Sequence, residues 1–156
     1  MDRAPPGAEA GKQEEARMTT TMPARDLDRL SRSGLTAADL DNLDDDLRGH
    51  TAYDRVGEEI GTVEDVLVDT LLLRAPFVVV SWGGLLGLGK QQRLIPMEAV
   101  DRVTPDGVYL NTDKEIVTNA PPYQESLSGA EAELHYREVY NAFGVTPPAP
   151  VNQPTV

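Results

Sequence analysis

Carboxylates are the most abundant groups in this sequence that could do chemistry. Asp and Glu number 26 against 14 Lys and Arg, a formal charge of −12 over 156 residues. Glu64, Asp65 and Asp69 share one short segment, and Glu98, Asp101, Asp113 and Glu115 lie downstream. Paired carboxylates can divide general-acid and general-base duties. Adjacent residues of a strand point to opposite faces, so Glu64 and Asp65 cannot act together, whereas Asp65 and Asp69 share a face if no bulge intervenes. No nucleophile, base and orienting group come together, and these acids are expected at solvated strand edges, where charge discourages aggregation. Asp39, Asp41, Asp44, Asp45 and Asp46 form a denser run. It lacks the EF-hand spacing and closing Glu of a calcium loop, so a solvated acidic face is expected. His50 and His135 are the two histidines. Neither has another His near it in sequence, and each is expected at the surface or a boundary. The absence of Cys excludes disulfides, thiolate catalysis and Cys-bound metals. No catalytic residue, cofactor or metal ligand is assigned, and no enzyme is expected.

One segment imitates a phosphate-binding loop. Gly84-Leu85-Leu86-Gly87-Leu88-Gly89-Lys90 fits G-x-x-x-x-G-K. The next residue is Gln91, so the hydroxyl that binds magnesium is missing, and the chain continues as a strand rather than a helix. A glycine-rich connection between strands is expected instead. Trp82, Leu85, Leu86 and Leu88 crowd this segment. Either they fold back onto the sheet or they form an apolar patch for a partner.

The acid excess argues against nucleic acid as a partner and against a polybasic grip on anionic lipid. No signal-peptide pattern opens the chain. The longest uncharged stretch, Ala75–Gly89, holds fifteen residues with Pro76 and four glycines. A spanning helix needs about 20 apolar residues. A cytoplasmic protein is the expectation.

The elements that must position these residues follow from composition. Residues 1–34 hold two Val/Ile/Leu residues, Leu27 and Leu30, too few to offset ordering entropy, so a disordered tail is expected. Met18 and Met22 leave the true start open. Residues 35–47 are expected to form a short acidic helix, capped by Thr36 and Asp39, with Leu40, Leu43 and Leu47 on one edge. Residues 51–123 hold 23 Val/Ile/Leu residues in 73 positions. Strands are predicted at 51–54, 59–69, 76–82, 93–95, 99–103 and 108–111, with a bulge or bend at Gly61 and a turn at Pro105-Asp106-Gly107. The continuous apolar run Pro76–Trp82 reads as a strand covered on both faces. Short strands without intervening long helices predict a mainly β fold, a small, strongly bent antiparallel barrel of about six strands over 48–125. Ser128-Gly129-Ala130-Glu131 is a capping-box signature. It opens a predicted amphipathic helix over 128–143, with Ala132, Tyr136, Val139, Tyr140 and Phe143 on one face and Gly144 at its end. Tyr136, Tyr140 and Phe143 are expected to dock on the barrel of the same chain or of a neighbour. Residues 144–156 carry four prolines and read as a disordered tail.

The ordered combination of Leu47-Arg48-Gly49, Ile60-Gly61-Thr62-Val63-Glu64-Asp65-Val66-Leu67-Val68-Asp69, Ser81-Trp82-Gly83-Gly84, Leu94-Ile95-Pro96-Met97-Glu98-Ala99-Val100, Val108-Tyr109-Leu110 and Ala120-Pro121-Pro122-Tyr123 resembles the PRC-barrel family. The resemblance covers about half the chain and implies a small bent antiparallel barrel. It also implies protein binding without catalysis, as in the cytoplasmic domain of the photosynthetic reaction-centre H subunit, the C-terminal domain of a ribosome maturation factor, and stand-alone bacterial and archaeal adaptors. The expectation is therefore a stand-alone bacterial interaction module, with Trp82, Leu85, Leu86, Leu88, Tyr136, Tyr140 and Phe143 as candidate partner-binding residues. Self-association is also expected, because a small barrel with an exposed edge can pair. The alternatives are a regulatory subunit set peripherally beside a membrane electron-transfer complex, and a ribosome-assembly factor.

Overall fold

The computed structural model describes residues 27–84 and 89–147; expectations for residues 1–26, 85–88 and 148–156 lie outside these. The described chain forms strands β1 (Leu27–Arg29), β2 (Thr51–Tyr53), β3 (Glu59–Asp69), β4 (Arg74–Trp82), β5 (Gln91–Pro96), β6 (Val100–Thr104) and β7 (Gly107–Leu110). Its helices are α1 (Leu30–Ser33), α2 (Lys114–Asn119) and α3 (Gly129–Ala142), and Ala37–Asp39 and Met97–Ala99 are 3-10 turns.

The strands make one sheet in the order β5-β4-β3-β2-β7-β6, with β1 added to β3 beside β2. This corrects the expected barrel in three ways. There are seven strands among the described residues, the pairing order has two ends rather than closing, and one pair is parallel. That pair joins β2 to β7, with Ala52 opposite Val108 and Tyr53 opposite Tyr109. The two ends of the order are nonetheless neighbours in the chain. β5 passes through the single 3-10 turn Met97–Ala99 directly into β6, so the sheet curls around its core. Neither end offers an easy strand edge. An antiparallel bridge from Arg93 to Pro122 and the Tyr123 N–H donating to the Gln92 carbonyl, 3.0 Å, cover β5. β6 is short, its register slips between Val100 and Arg102, and it carries exposed Asp101 and Arg102. Such devices discourage edge pairing.

The central strands are buried on both sides, as the run of Val78-Val79-Val80 demands. Val66 and Val68 of β3, Val78 and Val80 of β4 and Ile95 of β5 face the inner core. Leu67, Phe77, Val79 and Leu94 face outward and are covered by Val139 and Tyr140 of α3. Strand alternation thus feeds two separate apolar clusters. Against β2 the register slips beside Gly61, between the Ala52–Gly61 and Tyr53–Glu59 pairs, where the bulge or bend is expected, and against β4 it slips at Glu64 and again between Leu67 and Asp69. Gly61 lies where β4 comes closest: a Cβ there would stand 2.2 Å from the Ser81 carbonyl oxygen. The close approach, rather than an unusual backbone angle, requires glycine.

The N-terminal expectations need correction. Residues 27–34 are not tail. Leu27, Asp28 and Arg29 pair with Asp69, Val68 and Leu67 of β3, and Leu30 is 1% exposed in the inner core. Long-range pairing supplies what local composition lacks. Residues 35–47 are not a helix beyond one 3-10 turn, although Thr36 and Asp39 do form the expected capping box. Asp is a poor helix former because its carboxylate competes for nearby backbone N–H groups. The Asn42 side chain instead clamps β4, donating to the Ala75 carbonyl (2.8 Å) and accepting from the Ala75 N–H (2.9 Å). The leucines still point inward: Leu40, Leu43 and Leu47 are all buried, and Asp41, Asp44, Asp45 and Asp46 are exposed.

α3 begins and ends within a residue of the prediction, with Ser128 at its N-cap, although the Ser128 side chain makes no capping bond. α2 is an element the sequence reading missed. Asp113 precedes it, Glu115 lies in its first turn, and Val117 is buried.

Two substitutions test this architecture. Leu30→Ala should lower unfolding free energy by about 2–5 kcal/mol, as for other fully buried leucines, measured by urea denaturation; an undiminished midpoint would return residues 27–34 to the tail. Gly61→Ala should cost about 1–3 kcal/mol by overpacking β3 against β4, read in the same assay.

Candidate functional site

Among the described residues, the longest run of exposed large apolar side chains is the turn between β3 and β4. Leu71, Leu72 and Leu73 occupy it, 79%, 37% and 40% exposed. The turn is built by its neighbours rather than by its leucines. Asp69 Oδ1 accepts the N–H groups of Leu71 and Leu72, both at 3.1 Å. The Leu73 N–H donates to the Asp69 carbonyl at 2.8 Å, and the Leu73 carbonyl accepts the Asp41 N–H at 2.8 Å. Leu73 has φ of 54°, a left-handed conformation that costs a side-chain-bearing residue about 1 kcal/mol or more. Glycine or asparagine is the usual occupant of such a place. The result is a firmly held, strained turn presenting three leucines to solvent, with exposed Asp41 bonded to it and exposed Arg74 following it.

The residues singled out in the sequence fall into several places. Leu85, Leu86 and Leu88 lie outside the described residues. Trp82 ends β4, is half-buried, and packs against the inner core. The Arg93 guanidinium stands over its ring, 5.1 Å from the centroid. Tyr136, Tyr140 and Phe143 pack on this same chain. Phe77 meets Tyr140 at 4.9 Å and Tyr136 at 5.5 Å between centroids, and Tyr140 is 2% exposed.

The resemblance to a phosphate-binding loop ends at Lys90. Its ammonium lies 3.2 Å from Glu64 Oε2, and the chain enters β5 rather than a helix. Glu64 also accepts from Gln92 Nε2 at 2.8 Å. Burial alone would raise its carboxyl, but Gln92, Lys90 and Arg29 outweigh that and hold it below the ordinary value.

Asp65 and Asp69 of β3 are not at a solvated strand edge, which corrects that expectation for these two, whereas Glu98, Asp101 and Glu115 are exposed. Asp65 and Asp69 are 3% and 5% exposed. Asp65 accepts from the Ser31 hydroxyl and from the Val66 N–H, tying α1 to β3. Asp69 holds the leucine turn. A third buried acid, Asp54, accepts the N–H groups of Val56 (3.0 Å), Glu58 (2.8 Å) and Lys114 (3.1 Å). Burial pushes its carboxyl up, but these bonds prevail and hold it below its ordinary value. Each buried acid is therefore an acceptor for backbone or hydroxyl groups, and no two share a substrate-sized site.

A wider polar cluster joins β1 and α1 to the segment before α3. Arg29 approaches Glu64 Oε2 at 3.5 Å, Asp65 Oδ2 at 3.8 Å and Glu125 Oε1 at 3.4 Å, and lies 5.6 Å from the Tyr123 ring centroid. Arg32 meets Glu125 at 2.8 Å. Sequence reasoning placed His135 at the surface or a boundary, yet it is 3% exposed. It faces Tyr123, Tyr136 and the Gln124 N–H rather than solvent. Arg93 was missed as well. It is 7% exposed and donates to the carbonyls of Gln92 (3.0 Å) and Thr118 (3.2 Å). Burial pulls its guanidinium below the ordinary value.

A cleft of 390 Å³ includes Asp54, Val56, Arg102 and Tyr109 in its lining. Arg102 lies 4.2 Å from the Tyr109 ring centroid, and Tyr109 stacks on Tyr53 at 4.8 Å. The cleft is open and polar, with no activated nucleophile. Among the described residues, no group of three or more His, Asp or Glu could hold a metal ion. Also among them, no helix is long and apolar enough to cross a membrane.

No curated protein matches this chain. The family model of the PRC-barrel domain matches residues 41–117. The match takes in β2 to β7 and the start of α2, leaving β1, α1 and α3 outside it. Residues 41–117 thus carry six of the seven described strands, and through them this chain belongs to the PRC-barrel family.

Proposed function

We propose that this chain is a non-catalytic protein-interaction module and that the leucine turn at Leu71–Leu73 is its contact. Membership of the PRC-barrel family is consistent with an interaction module. The observation that carries the reading is the exposed turn itself. Three consecutive leucines are exposed, and Leu73 holds a backbone angle that favours glycine, so neither packing nor, at Leu73, turn chemistry explains them. Exposed apolar patches on folded domains mark interaction sites. The bonds from Asp69 and Asp41 preorganise the turn, so little conformational freedom is lost when it is buried by a partner. With Asp41 and Arg74 both beside the turn and a formal chain charge of −12, no basic patch adjoins the leucines, which fits a protein surface better than an anionic membrane.

Leu71→Asp should weaken partner binding by about 30-fold or more, the effect of losing a hot-spot side chain worth about 2 kcal/mol. It should leave stability within about 0.5 kcal/mol, because the residue is mostly exposed. Capture from native lysate, with partners identified by mass spectrometry and affinities then measured by calorimetry, checks this. The Leu85→Asp/Leu86→Asp double variant runs beside it. Binding that survives Leu71→Asp and is lost in the double variant would move the contact to the glycine-rich loop. Ribosomal proteins or electron-transfer subunits among the captured partners would select the corresponding alternative duty.

A further inference from the structure

α3 is fastened to the sheet by an apolar cluster and by one histidine. His135 is 3% exposed. Its ring lies parallel to that of Tyr123, 17° between planes and 6.4 Å between centroids, and is tilted against Tyr136 at 6.1 Å. The Gln124 backbone N–H donates to Nε2 at 3.4 Å. Nε2 is therefore the lone-pair nitrogen, and the proton of the neutral ring sits on Nδ1. Nδ1 is buried with no hydrogen-bond partner among the described residues. Neither nitrogen has a carboxylate acceptor.

We propose that His135 is a proton-operated latch, in which a proton added to Nε2 displaces the Gln124 N–H and releases α3 from the outer face of the sheet. The site suits the neutral ring alone. A proton on Nε2 would face another N–H donor, and the imidazolium would have two donors and no acceptor in a buried place. The groups around the ring do not rescue it. Glu138, on α3 itself, favours the cation, but burial outweighs it and lowers the ring's pKa from its ordinary 6.5. From the preceding segment come Tyr123, whose hydroxyl burial raises, and Glu125, which is held by Arg29 and Arg32. Arg29 of β1 is a cation across Tyr123. β3, β4 and β5 present Leu67, Phe77, Val79 and Leu94, and Asp65, further along β3, is bound to Ser31 and Val66.

The sign follows from linkage. A folded pKa below 6.5 gives docking that is complete above about pH 6.5 and is lost as pH falls toward the docked-state value. Across that window the docking constant falls up to tenfold per pH unit. Release uncovers the face formed by Leu67, Phe77, Val79 and Leu94. The buried residues of the inner cluster are a separate set, which the end of α3 touches only through the partly buried Phe143, so the domain can keep its core while α3 leaves. The latch does not depend on the leucine turn.

With two histidines in the chain, the assignment can be tested on the full-length protein. The first measurement is the titration of both rings by NMR. The second is amide hydrogen exchange of α3 from pH 7.5 to 5, corrected for the intrinsic pH dependence of exchange. His135 should titrate below 6.5, and α3 should lose protection about tenfold per pH unit below that point, while β3 and β4 stay protected. His135→Gln, which keeps an acceptor for Gln124 but cannot titrate, should hold α3 protection constant over this range, and His50→Asn should not. His135 titrating at or above 6.5, or α3 protection that does not change with pH in the wild type, overturns the proposal. So does a pH response that His50→Asn abolishes. The wild-type titration decides the matter even if His135→Gln folds poorly.

Discussion

A strand that is apolar on both sides must be covered twice. β3 and β4 alternate valine, leucine and phenylalanine between two faces, and most of the remaining structure follows from that. The inner face is closed by the sheet's own curl and by Leu40, Leu43 and Leu47 from the acidic segment. The outer face is closed by α3. Burying each large apolar side chain contributes about 1.5–3 kcal/mol, so Phe77, Val79 and Leu94 left bare would be a serious liability. This need commits Tyr136 and Tyr140 to their own chain. It is also why His135, between them and Tyr123, lies out of solvent. The exposed leucines of the β3–β4 turn stand apart from this scheme, since neither core reaches them.

The acid-rich composition has a structural share. Asp54, Asp65 and Asp69 each sit where the backbone turns or bulges and leaves N–H groups without strand partners, and each carboxylate accepts them. A carboxylate accepting backbone N–H bonds is stabilised in its charged form, which offsets burial. The remaining surface acids, such as Asp44 and Asp45, keep the molecule strongly anionic.

Much of the fold was legible because periodicity reports burial directly. The bounds of β3, the turn at Pro105–Gly107 and nearly all of α3 were readable from alternation, turn chemistry and capping residues. What was not legible depends on distant partners. Leu27–Arg29 has no strand pattern and is a strand because β3 offers it a free edge. The segment after Thr36 has helical leucine spacing, yet Asn42 is pinned to Ala75, thirty-three positions away, and that tie overrides the local pattern. α2 was foreshadowed by Asp113 and Glu115, but a single turn and a half is easily lost beside a run of strands. In the candidate site, Leu71-Leu72-Leu73 falls between the predicted strands 59–69 and 76–82, flanked by Thr70 and Arg74. Leucines in a short connection can fold back or stand exposed, and only the packing of both clusters without them shows the second. His135 and Arg93 have ordinary sequence surroundings, and their burial comes wholly from tertiary packing.

The single parallel pair sets the order in which this molecule can assemble. The hairpins β3–β4, β4–β5 and β6–β7 join near neighbours and can form early. β2 and β7 meet only when Ala52 finds Val108, across more than fifty intervening positions, and loop closure of that length is entropically costly and slow. Until it happens the curl is unsealed, and the valines of its interior face water. A chain emerging from the ribosome would hold β2 to β6 in that unfinished state until β7 had been made. The parallel pair therefore acts as the kinetic checkpoint of the domain, and the interval before it closes is when the chain is most exposed to misassembly.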